Sequence, residues 1–416
     1  MKRFILILII ITTLPVIAQQ SITLNDCYNL VETNYPLVKQ RLLFEQQNQL
    51  DSDIISNSKL PQFNLEAQAT YQSDVIEIPI PNSTIDPLNK DQYRATLSVN
   101  QLIYNGGATD ASLNLKSAQL KIKQKQIDAS IHQLKTQINQ LYFSILLNQE
   151  TYKLLEAKKV QLQTKLKEVQ SGIKYGVLLP ASDSVLEAEI LKINQQFIEA
   201  ESTKLSLIET LSSLIGQSLD SSSSFETPLA EVQFQGDISR PEIELFQLKK
   251  EEIENSETLI SKQNAPKLNG FANGGYGNPG LNMLDNSFQP FYIVGLKFNW
   301  KVFDWNTNKK QRETLAINKD IIDNETEIFE LNTNIELNKQ QKVIEKISDF
   351  ITSDLEIIEL RKTILNTIDA QLKNGVITSS DYVTEFTNLF EAENTLLKHQ
   401  IQLQLAKANY NTIKGQ

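Results

Sequence analysis

The chain has 416 residues, of which 40% are hydrophobic and 22% charged, with a formal net charge of −10. A mean hydropathy of −0.28 excludes a bundle of apolar membrane helices. An acidic chain without a basic cluster is excluded as a nucleic-acid binder, and a lone cysteine, Cys27, leaves no intramolecular disulfide.

In chain order, the first element is a leader over residues 1–18. Lys2 and Arg3 form a basic start, Phe4 to Pro15 an apolar run, and Ala18 ends a small-residue cleavage signal. The run is too short to span a bilayer comfortably, so it predicts export rather than anchoring. Cys27 follows Asp26 and lies well past the apolar run, which argues against lipidation. It reads as a small buried residue on a helix.

A β-hairpin is predicted over residues 60–105. Phe63, Leu65, Ala67, Ala69 and Tyr71 alternate with polar residues, as do Tyr93, Ala95, Leu97 and Val99. From about Ala108 to Ser171 there is no proline, which predicts a helix of roughly 95 Å at ~1.5 Å per residue. Ile127, Ile131, Leu134, Ile138, Leu141 and Ile145 step by four and three, a coiled-coil rhythm. The phrase "KYGVLLPASD" interrupts this run near 174–183, and a second helix carries Leu186, Ile190, Ile193, Phe197 and Ala200. Residues 217–239 read as a linker.

The same plan then returns. The first repeat spans 19–216 and the second 240–416. "KNGVITSSD" near 373–381 places Gly375 at 199 residues (375 − 176) beyond Gly176, and Tyr292 stands at the same offset from Tyr93. "PKLN" follows "PQFN" by 205 residues (266 − 61), so the difference falls in Pro-, Asn- and Gly-rich loops. A second β-hairpin is therefore predicted over 266–304. Its fourth strand carries Tyr292, Val294, Leu296, Phe298, Trp300 and Val302 on one face, and its third, "LNGFANGGYG", is Gly-rich. The second helical hairpin carries Ile344, Ile347, Ile351, Leu355 and Ile358, then Tyr382, Phe386, Leu389, Leu396 and Leu403. Gly176 and Gly375 are expected in a left-handed conformation that ends each long helix.

Tyr71, Tyr93, Tyr276 and Tyr292 stand beside the loops, where an aromatic girdle of a membrane barrel would sit. Four strands cannot close such a barrel, which needs about eight or more, and an open edge is not viable in lipid. Two copies would give eight strands and three would give twelve.

These residues, in this order, resemble the TolC family of outer-membrane efflux proteins. The resemblance is carried by "TLNDCYNLVETNYPLV", "LPQFN", "LSVNQLIYNGG", "KYGVLLPASD", "RPEIELF", "APKLN" and "LKNGVITSSDYV". It implies an α+β membrane protein with a duplicated repeat. Each chain of a homotrimer would contribute four strands to a 12-stranded β-barrel, continued by a long periplasmic α-helical, coiled-coil barrel. It implies a passive exit duct of a tripartite efflux or type I secretion system, in the outer membrane and extending into the periplasm. The partners implied are outer-membrane lipid, a periplasmic adaptor (membrane fusion) protein and an inner-membrane pump of RND or ABC type. The helical turns, with Gly176, Gly375, Lys174 and Lys373, would form the entrance and touch the adaptor.

By the same resemblance Asp381 and Asp183 match acidic entrance positions, and Thr384 stands where the family has a second acid. The family's arginine two residues past the second glycine is Ile377 here, so a latch of that type is not expected. Symmetry independently favours an acidic ring, because copies of Asp381 around one axis would attract cations. The alternative is that Asp183 and Asp381 serve as helix N-caps.

No nucleophile, base and orienting group come together at motif level, so no enzyme, cofactor or metal site is expected. His132 and His399 read as exposed helix positions, and the many Lys and Glu residues as solvated helix faces. The competing class is an exported coiled-coil scaffold or adhesin with a soluble β-head.

Overall fold

The structure, a computed structural model, describes residues 21–76, 87–220 and 222–416; the leader assigned to 1–18 and loop residues 77–86 lie outside the described residues. In chain order the elements are β1 (Ser21–Ile22), α1 (Leu24–Asn34), a 3-10 turn (Pro36–Val38), α2 (Lys39–Asn57), β2 (Gln62–Tyr71), β3 (Asp91–Tyr104), α3 (Ala108–Lys174) and α4 (Ser182–Ile215). There follow β4 (Ser224–Phe225), α5 (Pro241–Gln263), β5 (Lys267–Asn278), β6 (Gln289–Asn299), α6 (Thr307–Lys373) and α7 (Ser379–Lys414). α3 and α6 are each 67 residues long, or about 100 Å.

The chain divides into two compact units, each drawing on both repeats. The first to consider comprises residues 40–126 and 242–327. Its centre is a four-stranded antiparallel sheet in the order β2-β3-β5-β6. Strand side chains alternate between faces, and the register decides which of them meet. Leu65 lies opposite Leu97, Leu97 opposite Gly274, and Gly274 opposite Tyr292. One face therefore collects the apolar series of all four strands, and it is bare: Leu65 is 75% exposed, Val294 71% and Leu296 69%. The other face carries Asn64, Glu66, Gln68, Thr96, Ser98, Asn273 and Lys297.

The Gly-rich β5 holds as a strand because it is central and because aromatic rings cover the glycines of this second face. A Cβ on Gly275 would fall 2.5 Å from the Phe291 ring, and one on Gly295 would fall 2.8 Å from the Phe271 ring. Each ring lies directly across from the glycine that it covers, which restores the contact that a missing side chain forfeits. The Arg94 guanidinium sits 5.5 Å from the centre of the Phe291 ring.

Each hairpin passes into its long helix through two successive left-handed residues. In the first repeat these are Gly106 (φ 68°) and Gly107 (φ 82°); in the second they are Trp305 (φ 56°) and Asn306 (φ 61°). Trp305 is 79% exposed, and its ring meets Phe303 edge-on at 4.8 Å.

The other unit comprises residues up to 39, 127–241 and 328–416. The predicted stripes mostly turn inward: Ile127, Ile131, Ile138 and Ile145 of α3 are buried, as are Leu186 and Ile193 of α4. Cys27 is fully buried, and burial pushes its thiol up to about 12. The segment read as a linker is pinned along its length. Phe225 is buried in β4, which pairs in parallel with β1, and the Tyr142 hydroxyl donates to the Ile22 and Glu226 carbonyls at 2.8 and 2.6 Å. Lys414, 2% exposed, donates to the Gln233 and Gln235 carbonyls at 2.7 and 2.5 Å.

Three expectations are corrected here. His132 is buried, and its Nε2 donates to the Thr412 carbonyl at 2.8 Å, because a carbonyl can only accept. His399 is largely buried as well, with Nδ1 2.6 Å from the Asp354 carboxylate. Leu355 leaves its stripe and is 51% exposed, while its neighbour Asp354 turns in toward His399.

The two strand-to-helix glycines separate backbone strain from crowding. A Cβ on Gly107 meets nothing within 4 Å, whereas one on Gly106 would fall 2.1 Å from the Ala265 Cβ. Gly107→Ala should cost about 1 kcal/mol, the left-handed penalty alone. Gly106→Ala should cost about 2–4 kcal/mol, because overpacking adds to it. Thermal unfolding of the two variants in detergent checks the ranking.

Candidate functional site

The two helix–turn–helix corners are built alike. Where α3 ends, Gly176 (φ 74°) donates to the Ile173 carbonyl at 3.0 Å and Val177 to Gly172 at 2.9 Å. Where α6 ends, Gly375 (φ 69°) donates to Leu372 at 2.9 Å and Val376 to Gln371 at 3.0 Å. This paired closure satisfies carbonyls that the last helical turn leaves orphaned. A Cβ on Gly375 would also fall 2.9 Å from the Val177 carbonyl oxygen, whereas one on Gly176 meets nothing within 4 Å. The two corners therefore touch at Gly375.

The following helices start differently. Thr378 caps α7: its hydroxyl accepts from the Asp381 amide at 3.3 Å, and the Asp381 carboxylate accepts from the Thr378 amide at 3.0 Å and hydroxyl at 2.7 Å. Asp381 is thus the third residue of a reciprocal capping box and not the cap itself. The Thr378 hydroxyl, then its amide, holds the Asp381 carboxyl below the ordinary value. At α4 the cap position is Ala181, without a side-chain bond, and Asp183 accepts locally from the Ser184 amide at 2.8 Å. The N-cap expectation for Asp183 and Asp381 is corrected accordingly. Asp381 and Thr384 are exposed, and the Thr384 hydroxyl donates to the Ser380 carbonyl at 2.9 Å. Lys174 is exposed. Ile377, in place of the family arginine, packs against an apolar cluster that contains Leu186, Leu372, Tyr382 and Phe386.

That cluster takes side chains from all four long helices, and charged groups stitch it together. Lys165 of α3 reaches Asp369 of α6 at 2.5 Å, also meets Glu168, and lies 5.2 Å from the Tyr382 ring of α7. Lys373 closes on the other Asp369 oxygen at 2.9 Å. Burial alone would raise the Asp369 carboxyl, but hydrogen bonds from Lys165 and Lys373 hold it below its ordinary value. Lys158 of α3 and Glu189 of α4, both buried, pair at 3.0 Å, and the Lys158 ammonium sits 4.3 Å from the Phe390 ring. Lys158, Lys165, Glu168 and Glu189 fall among the Lys and Glu residues expected on solvated faces, and Lys373 among those expected at the entrance. Asp369 and Lys373, four apart on one helix, and Lys165 and Glu168, three apart on another, carry a local signal of pairing; the pairs between helices carry none.

In the sheet, Tyr71, Tyr93, Tyr276 and Tyr292 share the apolar face and the loop end of their strands. Phe288, not singled out from sequence, stacks between Tyr93 and Tyr276 at 6.2 and 5.6 Å. Among the described residues no helix is long and apolar enough to cross a membrane, and no group of three or more His, Cys, Asp or Glu could hold a metal ion.

Residues 30–217, almost the whole first repeat, match the family model for outer membrane efflux proteins. Over this stretch, a little under half of the chain, the sequence is similar to that family. No curated relative matches it in sequence. The fold is that of solved outer-membrane channels. A structure of CusC, described for its transmembrane channel formation, has 14% identity and a TM-score of 0.67, with 94% of this chain and 92% of that one covered. VceC from Vibrio cholerae has 15% identity and a TM-score of 0.64, covering 94% and 96%. The open state of the Neisseria gonorrhoeae MtrE channel has 14% identity and a TM-score of 0.64, covering 94% and 89%.

The Asp369 pairing makes a pH-dependent contribution. Its carboxyl is depressed in the folded state, so the stabilisation is complete above its ordinary value of 3.8 and is lost as the pH falls through the folded value. Asp369→Asn should cost about 1–2 kcal/mol near neutral pH, discounted for partial exposure. The difference from the parent should shrink in acid, as read from thermal unfolding across pH 3–7.

Proposed function

We propose that this chain is a passive outer-membrane exit duct, one component of a tripartite efflux or type I secretion system. The sheet supports the reading most directly. It has a bare apolar face, a polar face, and among the described residues no partner on the outer side of β2 or β6. Backbone groups on those edges cannot be left unpaired in lipid. Three chains would supply twelve strands, with the apolar face toward lipid and the polar face lining the lumen. From Phe63 to Tyr71 the strand rises about 27 Å at ~3.4 Å per residue. Tilted by roughly 40°, that spans about 21 Å, most of the ~25 Å apolar band of membrane barrels. Tyr71, Tyr93, Tyr276 and Tyr292 would form its outer girdle.

The paired corners would form the periplasmic entrance, facing an adaptor protein and, through it, an inner-membrane pump. Asp381 would line that entrance while still closing its capping box, since a capping carboxylate keeps lone pairs free for a cation. With Ile377 committed to the apolar cluster, no arginine latch operates at this position. Transport through such a duct needs no catalytic step.

Fractionation tests the reading. Heat-modifiable trimers in the outer-membrane fraction support the duct, and release by osmotic shock would place the protein among soluble scaffolds. In planar bilayers, Asp381→Ala should weaken both the cation preference and the block by divalent ions. Unchanged selectivity would remove Asp381 from the conduction path.

A further inference from the structure

The internal duplication contains a template for the joint between copies. Within one chain the two hairpins meet where β3 pairs with β5. β6 corresponds to β3 at an offset of 199 residues, and β2 corresponds to β5 at an offset of 205. The two outer edges of the sheet are therefore the counterparts of the two strands already joined inside it. We infer that β6 of one chain pairs with β2 of the next in the register that β3 and β5 show within the chain. This rests on the assembly proposed above and adds which residues face each other.

The in-chain register places Ala95 opposite Tyr276, Leu97 opposite Gly274, Ser98 opposite Asn273, Val99 opposite Ala272 and Gln101 opposite Gly270. Carried across, Val294 faces the partner subunit's Tyr71 and Leu296 faces the partner subunit's Ala69. Lys297 faces the partner subunit's Gln68, and Phe298 faces the partner subunit's Ala67. Apolar residues meet apolar residues on the lipid side. On the lumen side Lys297 comes within diagonal reach of the partner subunit's Glu66, an attractive pair. A slip by one residue would drive Leu296 against polar side chains and invert both faces.

A second observation supports this joint independently. β3 runs on to Tyr104, but β6 stops at Asn299, four residues short of the equivalent Phe303. The tail of β3, from Leu102 to Tyr104, pairs only with β5. Residues 300–303 lack that neighbour in a single chain, and Trp300, Val302 and Phe303 are 53%, 72% and 65% exposed. The next chain's β2 supplies the missing strand and extends β6 to Phe303. At the foot of the joint the copy loosens. Gly106 lies against Ala265 with no room for a side chain, whereas the equivalent pair is Trp305 and the partner subunit's Leu60. The joint between copies is wider there.

Disulfide cross-linking tests the register. In a Cys27→Ala background, Lys297→Cys is combined with Gln68→Cys, and in controls with Glu66→Cys or Thr70→Cys. Within one chain β2 and β6 are three strand spacings apart, about 14 Å, beyond the roughly 7 Å limit for a disulfide. Any bond therefore joins two chains. The expected result is oxidation of the Gln68 pair to a covalently closed three-chain species on non-reducing gels, with neither control closing. Closure of a control in its place, or no closure of any pair while unheated trimers persist, overturns the register and leaves the assembly standing. Absence of trimers from the unmodified chain overturns both.

Discussion

A strand edge cannot be left open in lipid, and that constraint organises this molecule. The sheet exposes the apolar face of all four strands and, among the described residues, leaves two rows of backbone groups without partners. In water such a surface would aggregate. In a bilayer the apolar face is satisfied by acyl chains, but the edge hydrogen bonds are not, and only further strands can supply them. The sheet therefore specifies both its solvent and the need for copies of itself.

The helical unit answers a different demand. Its long helices are individually only weakly amphipathic and cannot stand alone, so hairpins from both repeats share one apolar cluster. Burying side chains such as Leu186, Tyr382 and Phe386 there contributes about 1.5–3 kcal/mol each. Lys158–Glu189 and Lys165–Asp369 add orientation more than net stability, because desolvation offsets most of the Coulomb gain. Their value lies in fixing which faces meet, since a register error would strand a buried charge.

Much of this was legible in the sequence. Alternation gave the strands to within a few residues, and the repeated phrase located both corners and their left-handed glycines. Hydrophobic period, turn chemistry and duplication are local signals, and they agree with one another here. What stayed hidden depends on partners distant in sequence. A buried Lys looks like a surface Lys until its carboxylate is found, as with Lys165 and Asp369, 204 residues apart. β1 and β4 are two residues each and have no period to detect. The covering of Gly275 and Gly295 by Phe291 and Phe271 needs the strand register before it can be seen. At the entrance candidate, the sequence offered Asp381 as a cap but not the preceding Thr378 as the true one.

The two corners, alike in how their helices end, differ in how the next helices begin. α7 opens on a closed reciprocal box, whereas α4 opens on Ala181 just after Pro180, with no side-chain cap and only the local bond from the Ser184 amide to Asp183. A missing cap of this kind is worth about 1 kcal/mol, or roughly a fivefold difference in how often the first turn frays. The duplicated chain thus carries one stiff tip and one soft tip side by side. When this end of the bundle yields to thermal agitation or to a pull, the first hairpin gives way first and the second holds its shape.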